Sequence, residues 1–226
     1  MGDIYTNSMF KDWKLCRRKY YYKYLKKIML PQKDENFELG KKVHALVSYK
    51  LNGFDTSIIE KSADEEVLEH YYSILKHPIL KQQPFLVEWG FVANIEDSQD
   101  ILSGRIDAVF YNPETKKYTI VDWKTGMKIP NIPLMETQAQ IYLYAFYKAR
   151  KDLGIEIKPE DVSFLFIKTP DLKESGIEFS SALYDRFEQD FTAIVKEINS
   201  YQYFEDAFEE KASCKFCEYK FICQKN

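Results

Sequence analysis

The sequence predicts an α/β fold with a central mixed β-sheet flanked by helices. Three observations predict it. The apolar period changes along the chain, from helical spacing to short β-branched and aromatic runs and back. The resulting core order is helix, three strands, helix, strand, and this mixture of element types points to a layered α/β arrangement. Finally, 226 residues that are 45% hydrophobic suffice to bury one substantial core, which excludes a disordered chain.

Residues 8–27 read as a helix, rich in long side chains and free of Gly and Pro. Between Lys11 and Lys27, eight cations stand against one acid, Asp12. That segment carries +7 in a chain of net charge −3, which leaves −10 elsewhere (−3 − 7). Tyr20, Tyr21, Tyr22 and Tyr24 are interleaved with the cations. Phosphates attract Lys and Arg, and unpaired bases attract aromatic faces, so the mixture suits a single nucleic-acid strand. It suits a solvated helix face with core tyrosines equally well.

Pro31 through Asn36 is a polar break. A second helix covers about 37–51, where Leu39, Val43, Leu46, Val47 and Leu51 form a stripe at helical spacing. A third runs from Ala63 to Lys76, marked by Val67, Leu68, Tyr71, Tyr72 and Leu75. Phe85–Ala93, Ile101–Tyr111 and Tyr118–Trp123 read as strands, with Asn112-Pro113-Glu114-Thr115 as a hairpin loop between the last two. Pro133 to Leu153 is a helix that Gly154 can end. Val162–Lys168 is a strand, and Leu183, Phe187, Phe191, Ile194, Val195 and Ile198 mark a last long helix. No run approaches the roughly 20 apolar residues of a membrane span, and no leader pattern precedes the first helix. A cytoplasmic protein without membrane contact is expected.

The most informative stretches are Gly104-Arg105-Ile106-Asp107 and Val121-Asp122-Trp123-Lys124. Strand side chains alternate, so Asp122 and Lys124 project together while Val121 and Trp123 face the other way. A hairpin makes the two strands neighbours, so Asp107 and Asp122 can converge. Two close carboxylates repel unless a cation sits between them, and a hard divalent ion such as Mg2+ or Mn2+ meets that need. The Trp123 backbone carbonyl is a further candidate ligand. Lys124 could orient a water or stabilise developing negative charge, as phosphodiester hydrolysis requires. A salt-bridged Asp-x-Lys at a strand end has the same appearance.

His44 lies beside the apolar stripe of its helix, placed either as a hydrogen-bonded core residue or as a ligand. Glu88 is an acid within an apolar strand, so it either faces water or joins a charged site. Gln138 and Tyr142 share one helix face. Cys214, Cys217 and Cys223 form C-x2-C-x5-C near the C-terminus, and Cys16 stands alone near the start. Without an export signal, four thiols read as metal ligands rather than disulfides, and their spacing fits either zinc or an iron–sulfur cluster.

Taken in order, Gly40…His44, Gly104…Asp107, Asp122-Trp123-Lys124 and Gln138…Tyr142 resemble the RecB-like branch of the PD-(D/E)XK nucleases. The resemblance implies a restriction-endonuclease-like core. It also implies a metal held by His44, Asp107 and Asp122, a catalytic Lys124, and Gln138 and Tyr142 positioning the active site and DNA. Glu88 corresponds to a more variable glutamate of the family. Cys16 with Cys214, Cys217 and Cys223 resembles the cluster-bearing members, the AddB nuclease domain and the CRISPR-associated exonucleases of spacer acquisition. Cys16-Arg17-Arg18-Lys19-Tyr20-Tyr21 matches their cysteine region except that Arg17 replaces the usual proline.

A 4Fe–4S cluster is thereby implied, with residues 8–27 and 205–226 as the cluster-binding part of a single domain spanning 1–226. The implied activity is a Mg2+- or Mn2+-dependent deoxyribonuclease. It would act as a 5′→3′ exonuclease on single-stranded or frayed DNA ends, in DNA repair, recombination or CRISPR adaptation. A helicase or an integrase is the implied protein partner. The other class left open is an inactive, metal-stabilised DNA-binding or scaffold protein.

Overall fold

In a computed structural model, the structure describes residues 2–30, 35–96, 98–126, 132–202 and 212–223. The sequence-predicted elements at 31–34, 133–136 and 205–226 therefore fall partly outside the described backbone or side chains.

A short strand, β1 (Ile4–Tyr5), leads into α1 (Asn7–Leu15), whose first turn is capped by Thr6 Oγ1 accepting from the Met9 amide. The single helix expected over 8–27 is broken. Cys16 is extended (φ −164°, ψ 112°); it closes α1, and its sulfur accepts from the Lys19 amide to start α2 (Arg17–Tyr20). A π-helical turn, Tyr21–Leu25, completes this arm. The break carries no Gly or Pro because a side-chain cap produces it.

The helix α3 (Glu35–Leu51) buries Val43, Leu46 and Val47. The expected third helix is α5 (Glu65–Leu75), with Asp64, Glu65 and Glu66 at its favourable N-terminal end, and a short helix the sequence did not suggest, α4 (Ser57–Ser62), precedes it. The strands follow as β2 (Gln83–Asn94), β3 (Ile101–Asn112) and β4 (Lys117–Lys124). Asn112 Oδ1 accepts from the amides of Glu114 and Thr115 and so builds the β3–β4 turn. Then come α6 (Ile132–Lys148), β5 (Val162–Lys168), β6 (Lys173–Glu178), α7 (Ser181–Ser200) and α8 (Lys220–Cys223). Gly154, at φ 67°, occupies a left-handed position six residues past the end of α6.

The sheet is mixed, in the order β1-β3-β4-β5-β6, with β2 on the other edge of β3. The pairs β2–β3, β3–β4 and β5–β6 are antiparallel, whereas β1–β3 and β4–β5 are parallel, the latter joined through α6. Against one face pack α1, α6 and α7, burying Phe10, Ile106, Ile120, Leu143, Phe164 and Phe191. Against the other pack α3 and α5, burying Val43, Tyr71, Ile74, Phe110, Val121 and Trp123. The α/β class with helices on both faces of a mixed sheet is the predicted one. No helix among the described residues is long and apolar enough to cross a membrane.

One irregularity places the site. On β3, Leu102 and Ile106 pack on the α6 face, but Ala108 and Phe110 pack on the α3 face, so the alternation reverses at Asp107. The β2–β3 ladder skips Glu88 and Asp107 at the same point, and Glu88 adopts φ 49°, a strained conformation for a residue with a Cβ. On its other edge β3 pairs with β4 only from Ala108 and Val121 onward, so the strands part at Asp107 and Asp122.

Candidate active site

Asp107 repairs the opening that it creates: its Oδ2 accepts from the Trp123 amide at 2.9 Å, in place of a ladder bond. Its Oδ1 lies 3.3 Å from His44 Nδ1, and His44 Nε2 is 3.1 Å from the Trp123 carbonyl oxygen. Glu88 completes the group. One ligand atom each from His44, Glu88 and Asp107 lies within 4.8 Å of the others, and this is the one such set of three among the described residues. Arg105, unremarked in the sequence, pairs with Glu88 at 3.4 Å. An open cleft of about 700 Å³ exposes these three side chains together with Lys41, Arg105 and Lys124.

Behind the cleft sits a second cluster. Asp122 is 2% exposed. Its Oδ1 accepts from Gln138 Nε2 at 2.7 Å, while its Oδ2 faces Lys124 Nζ at 2.5 Å without an aligned hydrogen bond. Lys124 Nζ donates to Gln138 Oε1 at 3.1 Å, and Gln138 Nε2 donates to the Tyr142 hydroxyl at 3.0 Å. As expected, Asp122 and Lys124 share one face of β4, and Val121 and Trp123 the other. The two aspartates feel each other's charge but contact different helices. Asp107 turns towards α3 and Asp122 towards α6, because the alternation reverses on β3 and not on β4.

The motif glycines have steric reasons. A Cβ at Gly104 would lie 2.7 Å from the ring of Phe91, and that ring packs edge-on against Tyr142 at 5.8 Å. A Cβ at Gly40 would lie 3.2 Å from Thr125 Oγ1, so α3 approaches the end of β4 closely only without a side chain there.

Charge is concentrated here. Burial alone would lower the His44 pKa, but the Asp107 carboxylate, helped by Asp122 and Glu88, raises it to about 9. Burial raises the Glu88 carboxyl, and Asp107 pushes it the same way against His44 and Arg105. Asp122 is raised by burial to about 6, with Lys124 opposing. Burial and the neighbouring carboxylates push the Tyr142 phenol far above its ordinary range. Two neighbouring carboxylates, Glu88 and Asp107, beside an imidazole and the Trp123 carbonyl fit a divalent cation. The oxygens suit Mg2+ or Mn2+, and the imidazole is the softer donor. The buried Asp122 Oδ2, lacking an aligned donor, is a further carboxylate oxygen at the edge of that group.

The cysteines behave differently. All four are unbridged and half-buried. Burial raises the Cys217 and Cys223 thiols. The four sulfurs do not converge as ligands of a single ion among the described residues. The two ends of the chain are nevertheless docked, through Lys19–Glu218 at 3.0 Å and the Tyr219 hydroxyl donating to the Ile28 carbonyl at 2.8 Å.

The basic first arm is tied down in part, while Lys11, Lys14, Lys26 and Lys27 stay exposed. Lys19 and Lys23 both pair with buried Asp12, Arg17 pairs with Glu197, Arg18 is buried beside Tyr22, and Tyr20 and Tyr22 are core residues. Of its two readings, core tyrosines describe it better.

A family model for the PD-(D/E)XK nuclease superfamily matches residues 59–224, well over half of the chain. A crystal structure of a "Putative exonuclease" from Eubacterium rectale superposes with a TM-score of 0.56 at 11% identity, covering 98% of this chain and 87% of that one. At that identity the likeness speaks for the fold. A second solved structure, SSO0001, is 18% identical over 94% of this chain and 96% of its own, with a TM-score of 0.39 too low to bear on the fold. No curated protein matches the chain. The matched stretch carries Glu88, Asp107, Asp122, Lys124, Gln138 and Tyr142, and the chain belongs to the PD-(D/E)XK nuclease superfamily.

Proposed function

We propose that the protein is a divalent-metal-dependent deoxyribonuclease acting as an exonuclease on single-stranded or frayed DNA ends, with 5′→3′ polarity by its resemblance to RecB-like members. The observation that carries this is the convergence of His44, Glu88 and Asp107 in an open cleft that Lys124 also lines.

His44, Glu88, Asp107 and the Trp123 carbonyl would hold the ion, with Asp122 Oδ2 as the remaining carboxylate. Bound there, the ion would neutralise charge on the scissile phosphate and make a water nucleophilic. Lys124 is steadied by Asp122 and Gln138, and its ammonium would stabilise negative charge developing on the phosphate. Gln138 and Tyr142 act as positioning residues, since their contacts are to Asp122, Lys124 and each other. The test is cleavage of end-labelled single strands with Mg2+ or Mn2+. Wild type should shorten the label, whereas Asp122→Ala and Lys124→Ala should leave only residual cleavage with an unchanged circular dichroism spectrum. Full activity in either variant, or a gel shift without shortening by wild type, would reject the assignment.

The same reading assigns a 4Fe–4S cluster to Cys16, Cys214, Cys217 and Cys223, on the resemblance of this cysteine set to the cluster-bearing members. Tetrahedral zinc would draw four sulfurs to within about 2.3 Å of one centre. An iron–sulfur cube spreads them over separate irons, and the resemblance to cluster-bearing nucleases favours it over zinc. Anaerobic purification should give about four irons and four sulfides per chain. A single zinc instead would replace the cluster. Action beside a helicase in repair or recombination, or beside an integrase in CRISPR adaptation, belongs to the same proposal.

A further inference from the structure

The core tyrosines Tyr20 and Tyr22 of the basic arm are not available for stacking, which raises the question of where unpaired bases would rest. One face of α3 answers it. Phe37, Lys41, His44 and Ser48 follow at helical spacing, Tyr49 is the next residue round the helix, and all line the cleft; the 12 steps from Phe37 to Tyr49 cover about 18 Å along the helix axis. His44, beside Asp107, sits near its middle. Phe37 is 59% exposed and Tyr49 46%, although both are large aromatics that a helix would normally bury. Lys41 Nζ stands 4.2 Å from the centre of the Phe37 ring. Arg105, 69% exposed at its side chain, supplies a cation on the cleft's strand side.

We infer that this face of α3 is a stacking platform for unpaired DNA. One base rests on Phe37 and another on Tyr49, on either side of the phosphate presented to His44 and Asp107, while Lys41 and Arg105 contact the flanking phosphates. Aromatic faces reward unpaired bases of any sequence, and paired bases cannot offer theirs. The two rings flanking a site with a cation at each side distinguish this surface from scattered exposed aromatics. The inference rests on the proposed nuclease reading and adds the strand's path and its single-stranded character.

The test is binding rather than cleavage. Fluorescence anisotropy of a labelled 15-nucleotide single strand, and of its blunt duplex, is read with the full chain in EDTA. Phe37→Ala and Tyr49→Ala should each weaken single-strand binding about 10-fold, which converts to about 1.4 kcal/mol per ring. The double variant should lose on the order of 100-fold, Phe37→Trp should bind as wild type, and duplex binding should change little. A double variant within 2-fold of wild type, equal losses for strand and duplex, or no single-strand binding by wild type would each overturn it. Cleavage by a wild type whose ring variants bind normally would sink this inference alone. Absent cleavage with intact ring-dependent binding would sink the nuclease reading alone.

Discussion

The two halves of the site solve opposite problems. The α3 half, with His44, Glu88 and Asp107, keeps its charged groups at an open cleft, where each still has a face turned to solvent. The α6 half, with Asp122, Lys124, Gln138 and Tyr142, is closed, and its polar atoms are tied together by a chain of hydrogen bonds. A half meant to bind something must leave valences unused. A half meant to hold one side chain still must use nearly all of them, because a partly satisfied buried network is destabilising and mobile. On the proposed reading, the open half supplies most of the ion's ligands, and the closed half adds one Asp122 oxygen and mounts Lys124.

The largest effect is expected where that division is tested directly. Asp107→Ala should remove Mn2+ binding measured by titration calorimetry, and with it cleavage, by on the order of 10^3-fold or more. Lys124→Ala should lower kcat by on the order of 10^2- to 10^3-fold while Mn2+ binds as in wild type. Parallel loss of metal affinity in both variants would break the comparison, because Lys124 would then be needed to hold the ion rather than to act on the phosphate. A Lys124→Ala enzyme that keeps its kcat would break it from the other side.

Much of this was legible in the sequence because it obeys simple periods. The β4 alternation put Asp122 and Lys124 on one face and Val121 and Trp123 on the other, and helical spacing put Gln138 beside Tyr142; both hold. What escaped obeys no period. The reversal at Asp107 depends on the left-handed Glu88 of a neighbouring strand, and nothing in Val87-Glu88-Trp89 announces a positive φ outside glycine. The strand β6 escaped because Lys173–Glu178 is an exposed edge with one sizeable apolar residue, Ile177, and hence no alternation to read. The break at Cys16 is made by a sulfur cap rather than by Gly or Pro. The internal pairing of the basic arm required knowing that Asp12, the one acid among eight cations, is buried where Lys19 and Lys23 can both reach it.

The finest test of the closed half is Tyr142→Phe, and its effect should be the smallest. The ring stays, still packed on Phe91 and on Phe164 at 6.1 Å, so the hydrophobic contribution is unchanged. Only the hydroxyl is lost, leaving one Gln138 N–H unpaired in a buried setting, a destabilisation of about 1 kcal/mol or slightly more. For a chain of this length that lowers Tm by about 2–4 °C. If Tyr142 merely fills space, kcat should be untouched. If it fixes Gln138, the amide gains freedom, Lys124 loses its second anchor, and kcat should fall about 10-fold while KM and Mn2+ affinity stay put. A change in KM alone would move Tyr142 out of the lysine mount and into substrate contact, and the open and closed halves would then meet at its ring rather than at Lys124.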